Sequence, residues 1–367
     1  MKISFNFIKQ KDVVLLDDNY SKLKFKNTSY KNVNFKEINF YSLILSIFNF
    51  LFKKKKLSFK DIFRKTTIQM YNPKIIITHE TTSRADYIKK LFPNVMLIVY
   101  QYAFFIHKRF KKKQNYDLFF VNHKKDKDFL IKNKIIDKKK ILISGFVKNN
   151  ERKEYNFKKK NNDLLYISQF TPKYQKYYSK NTSEKVKDLE KYIIKLVDMY
   201  SIKNDCRFNI ALKFARSDKS KYSKKIVEKE IQYFRSLIKS KIKFSEEDSL
   251  SLAQKSKLII TISSNFANEL ISRGFKVLYL PLDEEFTQNP NYYLPKKNSF
   301  NVHREKNTNK IEKKISNLLN LKDKDWKIFL KKSKHFNMKF DKNNKYLKSV
   351  IFQKLRSFSK KNKSFIN

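Results

Sequence analysis

The chain has almost no glycine. Only Gly145 and Gly274 occur among 367 residues, so neither a Walker A loop nor a GxGxxG turn can be built. Cys206 is the lone cysteine, which excludes an intramolecular disulfide framework and a CxxC metal site. No apolar run reaches the roughly 18 residues that a membrane-spanning helix needs. The nearest candidate, Tyr41 to Phe52, is short and is broken by Ser42, Ser46 and Asn49. The N-terminal MKISFNFIKQKDVV has no continuous apolar core of the signal-peptide kind. The expected location is therefore cytoplasmic and reducing.

Negative charge is the other scarcity. Against 84 lysines and arginines stand 34 acidic residues, a formal net charge of +50. Such a surface attracts polyanions. Yet the charge is almost all lysine, whereas arginine is the preferred reader of phosphate and base edges. Lys, Asn, Ile, Phe and Tyr are abundant together, as an AT-rich coding sequence would produce. Most of the charge follows from that bias, leaving a share for acidic substrates or anionic lipid. Hydrophobic residues at 41% and aromatics at 15% exclude a disordered chain, and the length suits two domains.

The most informative stretch is Lys257 to Leu282, KLIITISSNFANELISRGFKVLYLPL. Leu258 to Ile262 is the β-branched run of a buried parallel strand. Ser263, Ser264 and Asn265 favour a helix mouth, and Ala267, Leu270 and Ile271 share one helical face. Gly274 closes the helix, and Val277 to Leu280 forms the next strand. A helix that starts at the carboxyl end of a parallel strand offers backbone N–H groups and partial positive charge to an anion. The bland alternative is an ordinary strand–helix–strand unit in which Ser263 only caps the helix.

Elsewhere the same alternation recurs. Strands are expected at Asp12 to Asp17, Val33 to Ile38, Lys74 to His79, Val95 to Tyr100, Asp117 to Val121 and Lys140 to Ile143. Helices are expected at Tyr41 to Phe52, Leu57 to Met70 and Thr81 to Leu91. Lys148 to Asn162 reads as a solvated linker. A second series follows, with strands at Asp163 to Ile167 and Arg207 to Phe214. Asn181, Thr182 and Ser183 are cap candidates for a helix running to about Tyr200, and Lys221 to Ile238 is a long helix. Leu347, Ile351 and Leu355 mark a C-terminal amphipathic helix, with a disordered basic end expected beyond Phe358. The chain thus divides into residues 1–150, 163–335 and 340–367. The apolar helix at Tyr41 to Phe52, followed by Lys53 to Lys56, packs within the first domain or forms a patch for anionic lipid.

SLAQKSKLIITISSNFANELISRGFKVLYLPL, followed by YYLPKKNSF, resembles the donor-side motif of bacterial surface carbohydrate biosynthesis proteins. That family consists of GT-B-fold glycosyltransferases distantly similar to CDP-glycerol glycerophosphotransferases. PKIIITHE with LFPNVMLIVYQ, KILISGFVKNN and DLLYISQF resemble the same family in order, from about Pro73 to about Asn301. The resemblance implies two Rossmann-like α/β domains facing across a cleft, the donor pocket in the second and the acceptor in the first. It also implies that residues 340–367 can cross back to the first domain.

On that basis Ser263 and Ser264 are the candidates for phosphate, and Glu269 for ribose or sugar hydroxyls. Ser168 and Gln169 end a comparable strand, and Lys213 and Arg216 can neutralise leaving-group charge. His79 and Glu80 end a buried strand and are the candidate bases. His107 stands where the family more usually has a glycine-containing turn, as do Asn298, Ser299 and Phe300. Asp126–Asp128 and Asp323–Asp325 match DxD but sit among lysines as solvated charge, and no metal or other cofactor is required. The expected function is transfer of a sugar, or a polyol phosphate from a CDP-polyol, from a nucleotide-activated donor to a surface glycan or lipid-linked acceptor. Peripheral contact with anionic membrane fits that role. The rival is a non-catalytic basic protein binding RNA or anionic membrane, though a nucleic-acid partner fits the paired strand–helix units poorly.

Overall fold

The computed structural model describes residues 2–4, 8–16, 30–32, 37–52, 58–79, 82–101, 110, 113–152, 162–170, 180–213, 224–242, 244, 247–282, 293–295, 297–333 and 338–363. The chain divides into two units, Met1–Arg152 with Met338–Asn367, and Lys153–Asn337.

The first unit runs β1 (Lys2–Ser4), β2 (Val13–Leu16), β3 (Tyr30–Asn32), β4 (Glu37–Asn39), α1 (Phe40–Phe52), α2 (Phe59–Tyr71) and β5 (Ile75–His79). It continues through α3 (Thr82–Leu91), β6 (Met96–Tyr100), β7 (Leu118–Val121), α4 (Lys124–Lys132), β8 (Ile141–Ile143) and α5 (Val147–Asn150). Six strands form a parallel sheet in the order β3-β2-β5-β6-β7-β8, and β1 pairs separately with β4. The central strands β2, β6 and β7 are apolar throughout because both faces are covered. Val14, Leu16, Ile76, Leu97, Val99 and Phe119 pack with Ile68 of α2, Ile88 of α3 and Leu130 of α4. The alternate residues Val13, Leu15, Ile75, Ile77, Ile98 and Phe120 pack with Leu347, Ile351 and Leu355. Those last three lie on the C-terminal helix Lys345–Lys363. One period-2 pattern therefore serves two helical layers.

A polar lock holds the returning segment. The Asn150 amide donates to the Ser144 carbonyl at 3.0 Å and to Asn344 Oδ1 at 2.8 Å, while its own oxygen accepts from the Asp341 N–H at 3.0 Å. Asn344 donates in turn to the Val147 carbonyl at 3.0 Å, and the Asp341 carboxylate accepts the Tyr346 N–H at the helix start. The expected solvated linker at Lys148 is therefore corrected at its beginning. Asn149 and Asn150 belong to α5 and are buried. The C-terminal helix likewise continues past Phe358 to Lys363, because extending a packed helix needs no new nucleus.

The second unit contains β9 (Asn162–Ile167), α6 (Lys180–Lys203), β10 (Phe208–Ala211), α7 (Lys224–Arg235), α8 (Ser249–Gln254) and β11 (Ser256–Thr261). These are followed by α9 (Asn265–Ser272), β12 (Val277–Tyr279), α10 (Thr308–Asn320) and α11 (Asp323–Lys332). Its four strands are all parallel, in the order β10-β9-β11-β12. Asn181, Thr182 and Ser183 lie inside α6 rather than capping it. The lone tryptophan, Trp326, is buried, and its indole N–H donates to the Gly274 carbonyl at 3.0 Å.

Both glycines hold positive φ, +76° at Gly145 and +93° at Gly274. A β-carbon at Gly145 would stand 1.8 Å from the Lys339 carbonyl oxygen, whereas one at Gly274 would meet nothing within 4 Å. Gly274→Ala should cost only the left-handed strain of about 1–2 kcal/mol. Gly145→Ala adds overpacking against backbone and should cost about 2–5 kcal/mol in all. Urea unfolding followed by circular dichroism checks this, and equal losses at the two sites would refute the close approach at Gly145.

Candidate functional site

In open parallel sheets, side chains at the carboxyl ends of the strands gather where ligands bind. In the second unit the exits of three neighbouring strands, β10, β9 and β11, carry most of the candidates. At the exit of β9, Ser168 is buried and its hydroxyl donates to Glu230 Oε1 at 2.5 Å. The same oxygen accepts the Lys213 N–H at 2.8 Å, at the exit of β10. The Gln169 N–H donates to Glu190 Oε1 at 2.7 Å, an oxygen also reached by the Tyr166 hydroxyl at 3.2 Å. Glu190 and Glu230 are both 0% exposed. Backbone N–H and hydroxyl donors compensate buried carboxylates, and these carboxylates tie the loops after β9 and β10 to helices α6 and α7.

Neither glutamate was singled out from the sequence. Each sits in an amphipathic helix among lysines, where a glutamate ordinarily reads as solvated charge. The structure thus brings Ser168 and Lys213 together through a shared partner. The Ser168 hydroxyl points into the fold at Glu230, while the Lys213 side chain is exposed.

The exit of β11 is organised differently. Ser264 is the N-cap of α9: its hydroxyl oxygen accepts the Phe266 N–H at 3.2 Å and its carbonyl accepts the Ala267 N–H at 3.1 Å. Buried Thr261 accepts the Ser264 N–H at 3.3 Å through its hydroxyl oxygen. The cap is Ser264 rather than Ser263. Ser263 is half-buried, and its side chain makes no hydrogen bond among the described residues. Glu269 lies on α9 and is only 6% exposed, among the buried residues of that helix. Arg216 lies outside the described residues.

In the first unit, His79 is the last residue of β5 and is half-buried. It pairs in register with Tyr100, with ring centroids 6.4 Å apart. Glu80, His107 and His335 lie outside the described residues. The next two strand exits carry a buried polar group that sequence reading passed over. Gln101 donates to Asp126 Oδ2 at 3.1 Å and accepts the Asn122 N–H at 2.7 Å. Asn122 is 1% exposed, and its side-chain amide has no hydrogen-bond partner among the described residues.

This corrects the view of Asp126–Asp128 as solvated charge. Asp126 is fully buried and holds Gln101, while Asp128 is exposed, so the pair does not point at one ion. Asp323 and Asp325 lie exposed in the first turn of α11, with Asp323 3.2 Å from the Lys276 ammonium. No group of three metal-ligating side chains occurs among the described residues. His123 Nδ1 accepts the Lys125 N–H at 2.9 Å and caps α4. His303 is buried in the second unit, where desolvation, aided by the Lys314 charge, lowers its pKa below the usual histidine range.

Comparison with known proteins follows this geometry. The model of a family described as "putative O-antigen biosynthesis protein" matches residues 100–355. No curated protein sequence matches the chain. Among solved structures, the UDP-GlcNAc 2-epimerase of Methanocaldococcus jannaschii aligns at TM-score 0.55 and 12% identity, over 96% of this chain and 100% of that one. UDP-GlcNAc 2-epimerase from Neisseria meningitidis bound to UDP-GlcNAc aligns at TM-score 0.52 and 12% identity, again over 96% and 100%. The wall teichoic acid polymerase TagF aligns at TM-score 0.51 and 11% identity, over 94% of this chain and 89% of that one. These likenesses show the fold, a two-domain α/β architecture of the GT-B type.

The two serines at the mouth of α9 separate cleanly in their structural work. Ser264→Ala should lower stability by about 1 kcal/mol through loss of the cap. Ser263→Ala should stay within about 0.5 kcal/mol of the parent, as a substitution that breaks no contact does. Chemical denaturation of both variants reads the difference, and a larger loss at Ser263 would contradict the assignment of the cap.

Proposed function

Because the chain belongs to this family of O-antigen biosynthesis proteins, we propose that it is a GT-B glycosyltransferase. It moves a sugar, or a polyol phosphate, from a nucleotide-activated donor to a surface glycan or lipid-linked acceptor, at the inner face of the cytoplasmic membrane. The observation that carries the reading is the Ser263 hydroxyl, without a hydrogen bond among the described residues, at the mouth of a helix that follows a parallel strand. UDP-sugars are the first donor class to examine, since the N. meningitidis relative of the same fold is bound to UDP-GlcNAc.

In this proposal the diphosphate lies against Ser263 and the first turn of α9, whose dipole and amides favour an anion. Lys213, and Arg216 beside it in sequence, meet the charge that develops on the leaving group. Ser264 and Ser168 act as struts that position this edge, and Gln169 and Glu269 discriminate the sugar or ribose hydroxyls. His79, with Glu80 next to it in sequence, accepts the acceptor's proton. For sugar transfer, the acceptor oxygen bonds to the anomeric carbon as the bond to the diphosphate breaks, and its electron pair leaves with the nucleotide. Helix amides and protein cations hold the leaving charge, so no metal is required.

Thermal unfolding in the presence of UDP, CDP, GDP, ADP and CMP tests the donor assignment. A nucleotide at about 100 times its dissociation constant should stabilise the fold by ~2.7 kcal/mol. Ser263→Ala should weaken that ligand by roughly tenfold or more, as loss of a bond to a charged group does. A response to CMP would mark a CDP-polyol donor. Silence from every nucleotide, with salt-sensitive RNA binding in its place, would overturn the transferase in favour of a basic binding protein.

A further inference from the structure

Helix α1 is built inside out for a water-soluble surface. Its two serines face the protein. Ser42 and Ser46 are 0% exposed, Ser46 donates to the Ser42 carbonyl, and Thr67 of α2 donates to the Ser42 hydroxyl at 3.1 Å. Ser42 also donates to the Asn39 carbonyl at 3.0 Å, which fixes the helix where it leaves β4. Seen down the axis, Ser42, Ser46 and Asn49 share one stripe, and the apolar residues take the rest of the circumference. Leu45, Ile47, Phe48, Phe50 and Leu51 are exposed, Phe48 at 54% and Leu51 at 70%. Phe59, at the start of α2, extends the patch and meets the Phe50 ring edge-on at 5.7 Å between centroids. A contiguous apolar face of this kind marks an interaction surface rather than chance exposure.

Charge identifies what covers it. The helix carries no charged residue, but the sequence runs directly on into Lys53, Lys54, Lys55 and Lys56. The exposed Lys60 follows on α2, in a chain of net charge +50. An apolar helix face followed in sequence by a run of lysines complements acyl chains beneath anionic headgroups. At 13 residues α1 is about 20 Å long, short of a hydrocarbon core of about 30 Å. No helix among the described residues is long and apolar enough to cross a membrane.

We propose that α1, with Phe59, docks the protein on an anionic bilayer, lying in the interface rather than spanning it. This gives the membrane placement in the proposed function a physical surface, but the argument does not depend on transferase activity.

The test is co-sedimentation of the full chain with vesicles of equal parts phosphatidylglycerol and phosphatidylcholine, against phosphatidylcholine alone. The parent should bind the anionic vesicles more tightly and lose binding as salt rises. Phe48→Ser with Leu51→Ser should weaken binding by roughly tenfold or more, since each removes a large apolar contact with the acyl region. Both side chains are exposed, so the melting temperature and any nucleotide-induced shift should stay unchanged. Replacing Lys53 to Lys56 with glutamine should abolish the preference for anionic lipid. The proposal is overturned if the parent ignores both vesicles, binds them equally at all salt concentrations, or binds undiminished in the Phe48/Leu51 variant. It is also overturned if that variant turns a dimer into a monomer by size-exclusion chromatography, which would make a second copy the occupant. Nucleotide binding is read separately in every variant, so failure here leaves the donor assignment standing, and the reverse.

Discussion

A parallel sheet must be covered on both faces, and in the first unit the chain completes that cover with a segment from its far end. Helices α2, α3 and α4 cover one face from within the same stretch of sequence. The other face is closed by Leu347, Ile351 and Leu355. The hydrogen bond that Asn150 donates to Asn344, 194 positions away, fixes that return, with Asn344 donating onward to the Val147 carbonyl. Gly145 is part of the same constraint, because the Lys339 carbonyl occupies the space a side chain would need. Everything the first unit presents at its strand exits, His79 included, rests on a sheet completed this way.

The second unit solves a different problem at the same kind of edge. Loops leaving parallel strands expose backbone donors, and two buried carboxylates draw those donors in. Glu230 gathers the loops after β9 and β10, and Glu190 gathers the residue beyond. Ser264 performs the equivalent task for α9 with its own side chain. Beside these groups Ser263 is half-buried and the Lys213 side chain is exposed. The division between scaffold and candidate ligand contacts runs between adjacent residues.

Most of the fold was legible because its signals are local. Apolar runs such as IIITH and LIITI announce buried strands, and a glycine after ELISR ends a helix. What stayed hidden depends on distant partners. Asn149 and Asn150 read as linker residues because nothing nearby announces Asn344. Asp126 reads as solvated charge because Gln101 is 25 positions away. Glu190 and Glu230 are obscured by neighbouring lysines. At the mouth of α9 the residue types pointed to a cap but not to which serine supplies it, since that choice turns on backbone geometry at a single position. Helix α1 was legible as a helix, but its orientation was not. The burial of Ser42 and Ser46, and the bond from Thr67 to Ser42, show that the serines face inward.

The central claim is that the strand exits of the second unit, above all the mouth of α9, receive a nucleotide diphosphate. Amide hydrogen exchange of the whole protein, with and without saturating nucleotide, tests it most directly. The account predicts slowed exchange concentrated in residues 262–272 and 167–170, with little change in α10 or α11. Slowing spread over lysine-rich surface segments, or none at residues 262–272 under conditions where the nucleotide binds, would contradict it.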